Sequence, residues 1–252
     1  MKDNSITPLV SIITVVYNGE KYLEQTIQSV INQTYKNIEY IIIDGGSTDG
    51  TLDIVKKYEK HISYWVSEPD EGLYYAMNKG IGLANGELVG MINSDDWYEL
   101  NAIELMVDAY KHNPKKTIFH ADRYDIDENG NRKIRKFNSS SFKFKYYGMT
   151  YNHPSMFITK DEYKKHSYNT EIRALSDYQF VLEAFLRDNN TLFYIEQPTV
   201  NYRLDGISAN LQLYEKLKEG YIIKKNAGMT LLENLFSICF RFVVFTLYKP
   251  KK

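Results

Sequence analysis

Residues 9–19 read LVSIITVVYNG: an apolar, largely β-branched run that stops abruptly at Tyr17-Asn18-Gly19. An unbroken run of that length closed by turn residues is the pattern of a strand buried on both faces, as in a parallel sheet. Residues 38–43 (IEYIII) repeat it and stop at Asp44-Gly45-Gly46. Between the two runs, Leu23, Ile27, Val30 and Ile31 recur at helical spacing. Thr48 or Asp49 is placed to cap a second helix whose apolar side holds Leu52, Val55 and Tyr58. Residues 61–66 give a third strand, residues 72–83 a third helix and residues 87–92 (ELVGMI) a fourth strand. Strands alternating with helices in this way predict an α/β fold, a Rossmann-like, mostly parallel, doubly wound sheet flanked by helices.

The pattern then loosens. A helix is expected over residues 101–110, with Ala102, Leu105, Met106 and Ala109 on one side. Residues 117–122 form a strand, and Glu128-Asn129-Gly130 is a turn before a basic strand. Strands at residues 155–159 and 192–195 bracket a helix at residues 177–187. This α+β half completes the same domain, assigned to residues 1–210.

The 252 residues are 43% hydrophobic and 25% charged, with a net charge of −1. That balance is globular and leaves no electrostatic footprint for nucleic acid. Cys239 is the single cysteine, so no intrachain disulfide forms. Residues 1–8 are polar and lack the apolar core of an export signal, which predicts a cytoplasmic location. Residues 211–252 carry eight Lys/Arg and three Glu, a local +5, and are assigned to a helical tail. Within it residues 231–248 (LLENLFSICFRFVVFTLY) are apolar but interrupted by Glu233, Asn234 and Arg241, and Lys249-Pro250-Lys251-Lys252 follows. Such a segment is too interrupted for a transmembrane span. Two readings stay open: an amphipathic helix on the inner face of an anionic membrane, or a helix packed on the domain or in a homodimer interface.

In an open parallel sheet, ligands bind beyond the carboxyl ends of the strands. Those ends are Tyr17-Asn18-Gly19, Asp44 to Gly50, Glu68-Pro69-Asp70-Glu71-Gly72 and Asn93-Ser94-Asp95-Asp96. A single polar strand end is usually a helix cap; four on one rim predict a site. No G-x-G-x-x-G follows the first strand and no G-x-x-x-x-G-K-[ST] occurs, so phosphates need another counter-charge. A divalent cation held by Asp95 supplies one.

The motifs VSIITVVYN (residues 10–18), IIDGGSTDGT (residues 42–51) and NSDD (residues 93–96) together resemble family 2 glycosyltransferases of the GT-A fold over about residues 8–210. The resemblance implies an inverting, metal-dependent transferase with a nucleotide-diphospho-sugar donor, usually a UDP-sugar, Mn2+ or Mg2+ as cofactor, and a glycan or lipid-linked acceptor of surface polysaccharide synthesis. Carried across, it places Tyr17 and the backbone of Val15 at the nucleobase, Asp44 on the base edge, and Asn93 and Ser94 near the ribose and diphosphate; Asp70, at the third strand end, is counted with the substrate-binding residues. Asp95 matches the metal carboxylate of the D-x-D motif. Asp177, in Leu175-Ser176-Asp177-Tyr178, matches the acidic general base; alternatively it caps its helix with Ser176. For Tyr17 and Asp95 the plainer alternatives are packing and capping. His153, within Asn152-His153-Pro154, falls at the acceptor cleft, and Tyr202-Arg203 with Ser208 near a loop over the diphosphate.

Three positions depart from the family pattern. Gly45 stands where a second Asp is common, Asn93 is neutral, and Met77 replaces the Arg of an Ala-Arg-Asn motif. Lys79 is two residues further along the helix, a turn of about 200°, and so faces away. Two rival functions are a sugar nucleotidyltransferase and a non-catalytic nucleotide-sugar binder. The first needs a Gly- and Arg-rich loop where Tyr17-Asn18-Gly19-Glu20 stands; Asp95 and Asp177 speak against the second.

Overall fold

The computed structural model describes residues 7–204 and 213–247. Residues 1–6, Ser208, the boundary expected at 210/211 and the closing lysines lie outside the described residues. In chain order the elements are β1 (Val10–Val16), α1 (Leu23–Ile31), β2 (Ile38–Asp44), α2 (Thr51–Lys57), β3 (Tyr64–Ser67), α3 (Leu73–Leu83), β4 (Leu88–Asn93) and β5 (Trp97–Tyr98). There follow α4 (Ala102–His112), β6 (Ile118–Ile126), β7 (Arg132–Arg135), α5 (Ser141–Tyr146), β8 (Phe157–Thr159), α6 (Lys160–Tyr163), α7 (Ser176–Arg187), β9 (Leu192–Arg203), α8 (Leu213–Asn226) and α9 (Leu231–Leu247).

All seven residues of β1 are buried because β1 is interior to the sheet and covered on both faces. The sheet order is β3-β2-β1-β4-β8-β6-β9-β5, with β7 hydrogen-bonded to β6. β1 to β4 are mutually parallel, β6 and β9 run with them, and β5, β7 and β8 run against. The mostly parallel sheet expected from the strand-helix alternation is therefore present. Alternation along β1 divides the core: Ile13 and Val15 pack with Met77, Tyr178 and Phe180 on one face. Ile12 and Val16 pack with Leu23, Ile27 and Met106 on the other. Helix α3 approaches β1 so closely that a Cβ at Gly80 would lie 2.5 Å from the Ile13 side chain.

Some local expectations are corrected. Neither Thr48 nor Asp49 occupies the cap position of α2, which is Gly50; Asp49 Oδ1 instead accepts the Thr51 N–H at 3.0 Å. The last strand continues past residue 195 to Arg203, because register shifts absorb Glu196-Gln197 between Ala121 and Asp122 of its neighbour and Thr199 between Asp122 and Arg123, leaving Pro198 opposite Asp122. Proline has no amide hydrogen for the ladder and is tolerated at such a bulge. Helix α5 escaped sequence reading, since Ser141-Phe142-Lys143-Phe144-Lys145-Tyr146 alternates like a strand.

Helices α8 and α9 pack on the body. Ile223 and Met229 join the core beside α7, Ser237 Oγ donates to the Tyr146 carbonyl at 2.7 Å, and Phe236 and Phe240 meet Phe142 of α5. Leu231, Leu232, Leu235, Phe236, Phe242, Val243, Phe245 and Leu247 of α9 remain exposed. Among the described residues no helix is long and apolar enough to cross a membrane.

Lys224 is buried between α8 and α9, and its Nζ has no hydrogen-bond partner among the described residues. Burial first, and the nearby Arg241 second, lower its pKa from 10.5 to about 7. Between those values the unfolded chain binds the proton and the folded chain does not, so stability rises with pH across that window. Lys224→Met is therefore expected to flatten this slope and to raise the neutral-pH melting temperature by about 2–4 °C per kcal/mol recovered, as thermal unfolding from pH 7 to 10 would show.

Candidate functional site

Parallel register brings the strand ends to one edge. Val16 sits opposite Asp44, Val15 opposite Asn93, and Asp44 opposite Ser67. The first two loops are stitched together there. Asn18 adopts φ 50°, a left-handed conformation that Asn tolerates. Its N–H donates to Ser47 Oγ at 2.8 Å and its Oδ1 accepts the Thr48 N–H at 2.9 Å. Tyr17, just before this turn, is 66% exposed, so packing does not explain it. The backbone of Val15 lies below it in a buried strand position.

Asp44 is 1% exposed and holds the second loop. Its Oδ2 accepts from the N–H groups of Gly46 (3.0 Å) and Ser47 (2.9 Å) and from Ser67 Oγ (2.6 Å); its Oδ1 accepts from Ser47 Oγ (2.5 Å). A carboxylate offers about four acceptor positions, and these four bonds use them. Asp70 lies against the neighbouring residue: a Cβ at Gly45 would be 2.7 Å from its Oδ2. The departure at Gly45 thus has a local cause, because the Asp70 carboxylate occupies the space a side chain there would enter. Asp70 Oδ1 also accepts the Gly72 N–H at 2.8 Å, at the start of α3.

At the end of β4, Asn93, Ser94 and Asp95 are half-buried and Asp96 is 1% exposed. Thr26 Oγ1 of α1 donates to the carbonyls of Ser94 (2.9 Å) and Asp96 (2.6 Å) and so anchors the loop. Asp96 Oδ1 accepts the Arg203 N–H at 3.0 Å, while its Oδ2 has no hydrogen-bond partner among the described residues. Burial, and then the charge of Asp95, push the Asp96 carboxyl well above the usual range. The helix after this loop takes Asn101 as its cap residue, so Asp95 does not cap it. Among the described residues no three His, Cys, Asp or Glu side chains group as a metal site. A cation held by one or two carboxylates and the ligand's own phosphates needs no such group, and Asp95 beside Asn93 fits that mode.

The opposite wall comes from the second half. Asp177 is the second residue of α7; the cap residue is Leu175, which makes no side-chain cap bond. The capping alternative therefore fails. Asp177 Oδ1 instead accepts from the Tyr74 hydroxyl at 3.2 Å, and that oxygen accepts the Ser176 N–H at 3.1 Å. His153 Nε2 lies 2.9 Å from the Tyr168 hydroxyl. Burial lowers the His153 pKa below 6.5 against the opposing pull of Asp177, which favours neutral imidazole near neutral pH.

Asn93, His153 and Asp177 line one cleft of about 210 Å³, together with Met77, Arg123 and Arg135. Arg203 is not among its lining residues. Its guanidinium lies between the rings of Tyr22 (4.0 Å) and Trp97 (4.6 Å), and Nη2 donates to Gln25 Oε1 at 2.6 Å. Lys79 pairs with Glu68, away from the cleft as its helical position predicts. Sequence reading missed Tyr74, Arg123 and Arg135. A tyrosine among 22 carries no mark, and the two arginines meet only through strand pairing.

The family model described as glycosyl transferase family 2 matches residues 11–167. Chondroitin synthase of Escherichia coli is 28% identical over 229 residues, 89% of this chain and 33% of that protein, so the chain spans about a third of its length. Structural likeness extends to TarS of S. aureus in complex with UDP-GlcNAc: TM-score 0.72, 17% identity, 96% of this chain and 74% of the other. Mannosyltransferase PcManGT from Pyrobaculum calidifontis, in complex with GDP-Man and Mn2+, aligns with TM-score 0.63 and 13% identity over 99% of this chain and 77% of the other. At such identities the two structures speak for the fold, which is of GT-A type.

Tyr74→Phe removes the hydroxyl that serves both the Asp177 carboxylate and the Ser176 N–H. It is expected to cost about 1–3 kcal/mol, read from urea unfolding, whereas a Tyr75→Phe control at an exposed position is expected to change stability little.

Proposed function

The chain belongs to glycosyl transferase family 2, and from that premise we propose that it is an inverting transferase. It moves a sugar from a nucleotide-diphospho-sugar, a UDP-sugar by preference, to a hydroxyl of a glycan or lipid-linked acceptor in surface polysaccharide assembly. The observation that carries this reading is that Asp177 and Asn93 line a single cleft, although they stand 84 positions apart in the chain.

Inversion demands in-line attack: the acceptor oxygen approaches the anomeric carbon from the side opposite the leaving diphosphate. The proton of that hydroxyl must leave as the new bond forms, which is work for a positioned carboxylate. Asp177 suits it, because it lines the cleft that Asn93 of a strand end also lines and the Tyr74 hydroxyl fixes one of its oxygens. Neutral His153 faces the same space and can hydrogen-bond the acceptor. On the donor side the exposed ring of Tyr17 and the backbone of Val15 offer the base a platform, with Asp44 and Asp70 ordering the loop beside it. Ser94 and Asn93 flank the ribose and diphosphate, and Arg203 braces the Asp96 side of the rim. Asp95, with Asn93, would hold Mn2+ or Mg2+, which when bound supplies positive charge to the diphosphate. The Mn2+ in the PcManGT structure supports this assignment by likeness of fold.

The exposed apolar residues of α9 support a peripheral position on the inner face of a membrane, where an amphipathic helix buries such a face and lysines meet anionic headgroups. The domain is taken as residues 1–210 and the tail as residues 211–252.

Asp177→Asn is expected to bind donor as tightly as the parent and to lose transfer by about 10³-fold or more; near-normal turnover would exclude Asp177 as the base. In a thermal-shift screen of nucleotide sugars, Asp95→Asn should abolish the Mn2+-dependent part of the stabilisation. For the tail, Leu232→Glu with Phe242→Glu should release the protein from sedimenting anionic vesicles, and unchanged sedimentation would remove the membrane assignment.

A further inference from the structure

Met77 lines the cleft where the family pattern puts an arginine, yet the cleft does not lack cations. Two guanidinium groups enter it from the second half of the chain. Arg123 of β6 and Arg135 of β7 are direct cross-strand partners, and both line the cleft with Met77, Asn93 and Asp177. Like charges directly opposite one another on paired strands are unfavourable. The carboxylate that meets both is Asp125, 2.7 Å from Arg123 Nε and 3.8 Å from Arg135 Nη1. One carboxylate is thus shared between two guanidinium groups, and Asp177 adds a carboxylate on the cleft lining.

Arg123 is the better placed of the two. Its side chain is 11% exposed, and its guanidinium carbon lies 3.9 Å from the centre of the Tyr202 ring, which holds the plane of the group. The bond to Asp125 uses Nε; among the described residues the terminal nitrogens make no hydrogen bond. The β6–β9 bulge falls immediately before Arg123, and bulges re-aim side chains beside sites. Tyr202, on which Arg123 stacks, directly precedes Arg203, whose N–H donates to Asp96 Oδ1 at 3.0 Å, so Arg123 stands near the loop that ends β4.

A pre-oriented fork of donors lining a cleft suits an oxyanion with two free oxygens. We infer that Arg123, supported by Arg135, binds the diphosphate of the nucleotide sugar from the wall opposite Met77, taking over the contact that Met77 cannot make. This rests on the glycosyltransferase reading above. An acidic group on the acceptor would satisfy the same fork, and the experiment separates the two sources.

Arg123→Gln and Arg123→Lys are titrated calorimetrically with UDP and with uridine, both with Mn2+, beside the parent. The expected result is a UDP affinity about 10- to 100-fold lower in Arg123→Gln, a several-fold loss in Arg123→Lys, which keeps the charge but not the fork, and uridine binding unchanged in both. Unchanged UDP affinity in both variants overturns the inference, and a raised KM for an acidic acceptor in those same variants would move the guanidinium to the acceptor. Should Arg123→Gln fail to fold, Arg123→Lys and Arg135→Gln, the latter at a half-exposed position, decide by the same readings. A parent protein that binds neither UDP nor GDP defeats the transferase reading and this inference together, which is distinct from a parent that binds and variants that match it.

Discussion

The parallel pairing of β1 with β2 on one side and β4 on the other is the constraint on which the rest depends. Because the three strands run in one direction and in register, Val16, Asp44 and Asn93 end at the same level. Loops that leave one level must share space, and polar residues at their starts are forced together. Burial of every residue in β1 makes that register costly to slip, since a one-residue shift would send each side chain to the wrong face. The rim is thus set by a fully buried strand, and its loops are tied to that order through the bonds of Asn18 and Asp44.

Asp44 organises the rim: its carboxylate is occupied by the second loop and fixes Ser47 and Ser67 beside it. The Asp70 carboxylate rests over Gly45, in the space a side chain there would enter. The Tyr74 hydroxyl joins the halves of the domain: it stands on α3, in the parallel half, and grips the start of α7. The placement of Asp177 therefore depends on contacts between helices that the motifs themselves do not contain.

Of the sequence's open readings for the tail, the structure bears out packing on the domain. Asn234 and Ser237 of α9 face the body and are buried, so the helix does pack on the domain. Its other side, from Leu231 and Leu232 to Phe245 and Leu247, keeps a broad apolar surface. The inner side is anchored by polar groups, with Asn234, Ser237 and Arg241 bonded to backbone carbonyls, and the apolar residues are turned outward.

Much of this molecule was legible without coordinates. Apolar runs at residues 9–16 and 38–43, with turn residues after them, specified buried parallel strands, and the strand ends marked the rim. Those features are local: periodicity and turn chemistry act over a few residues. What the tertiary structure alone decided is long-range. Met77 and Arg123 share a cleft, Asp177 is bonded to Tyr74 rather than capping its helix, and Arg203 is drawn between Tyr22 and Trp97. Each depends on which side chains meet after strands pair and helices pack, and one sequence read along its length holds no distance between residues that far apart.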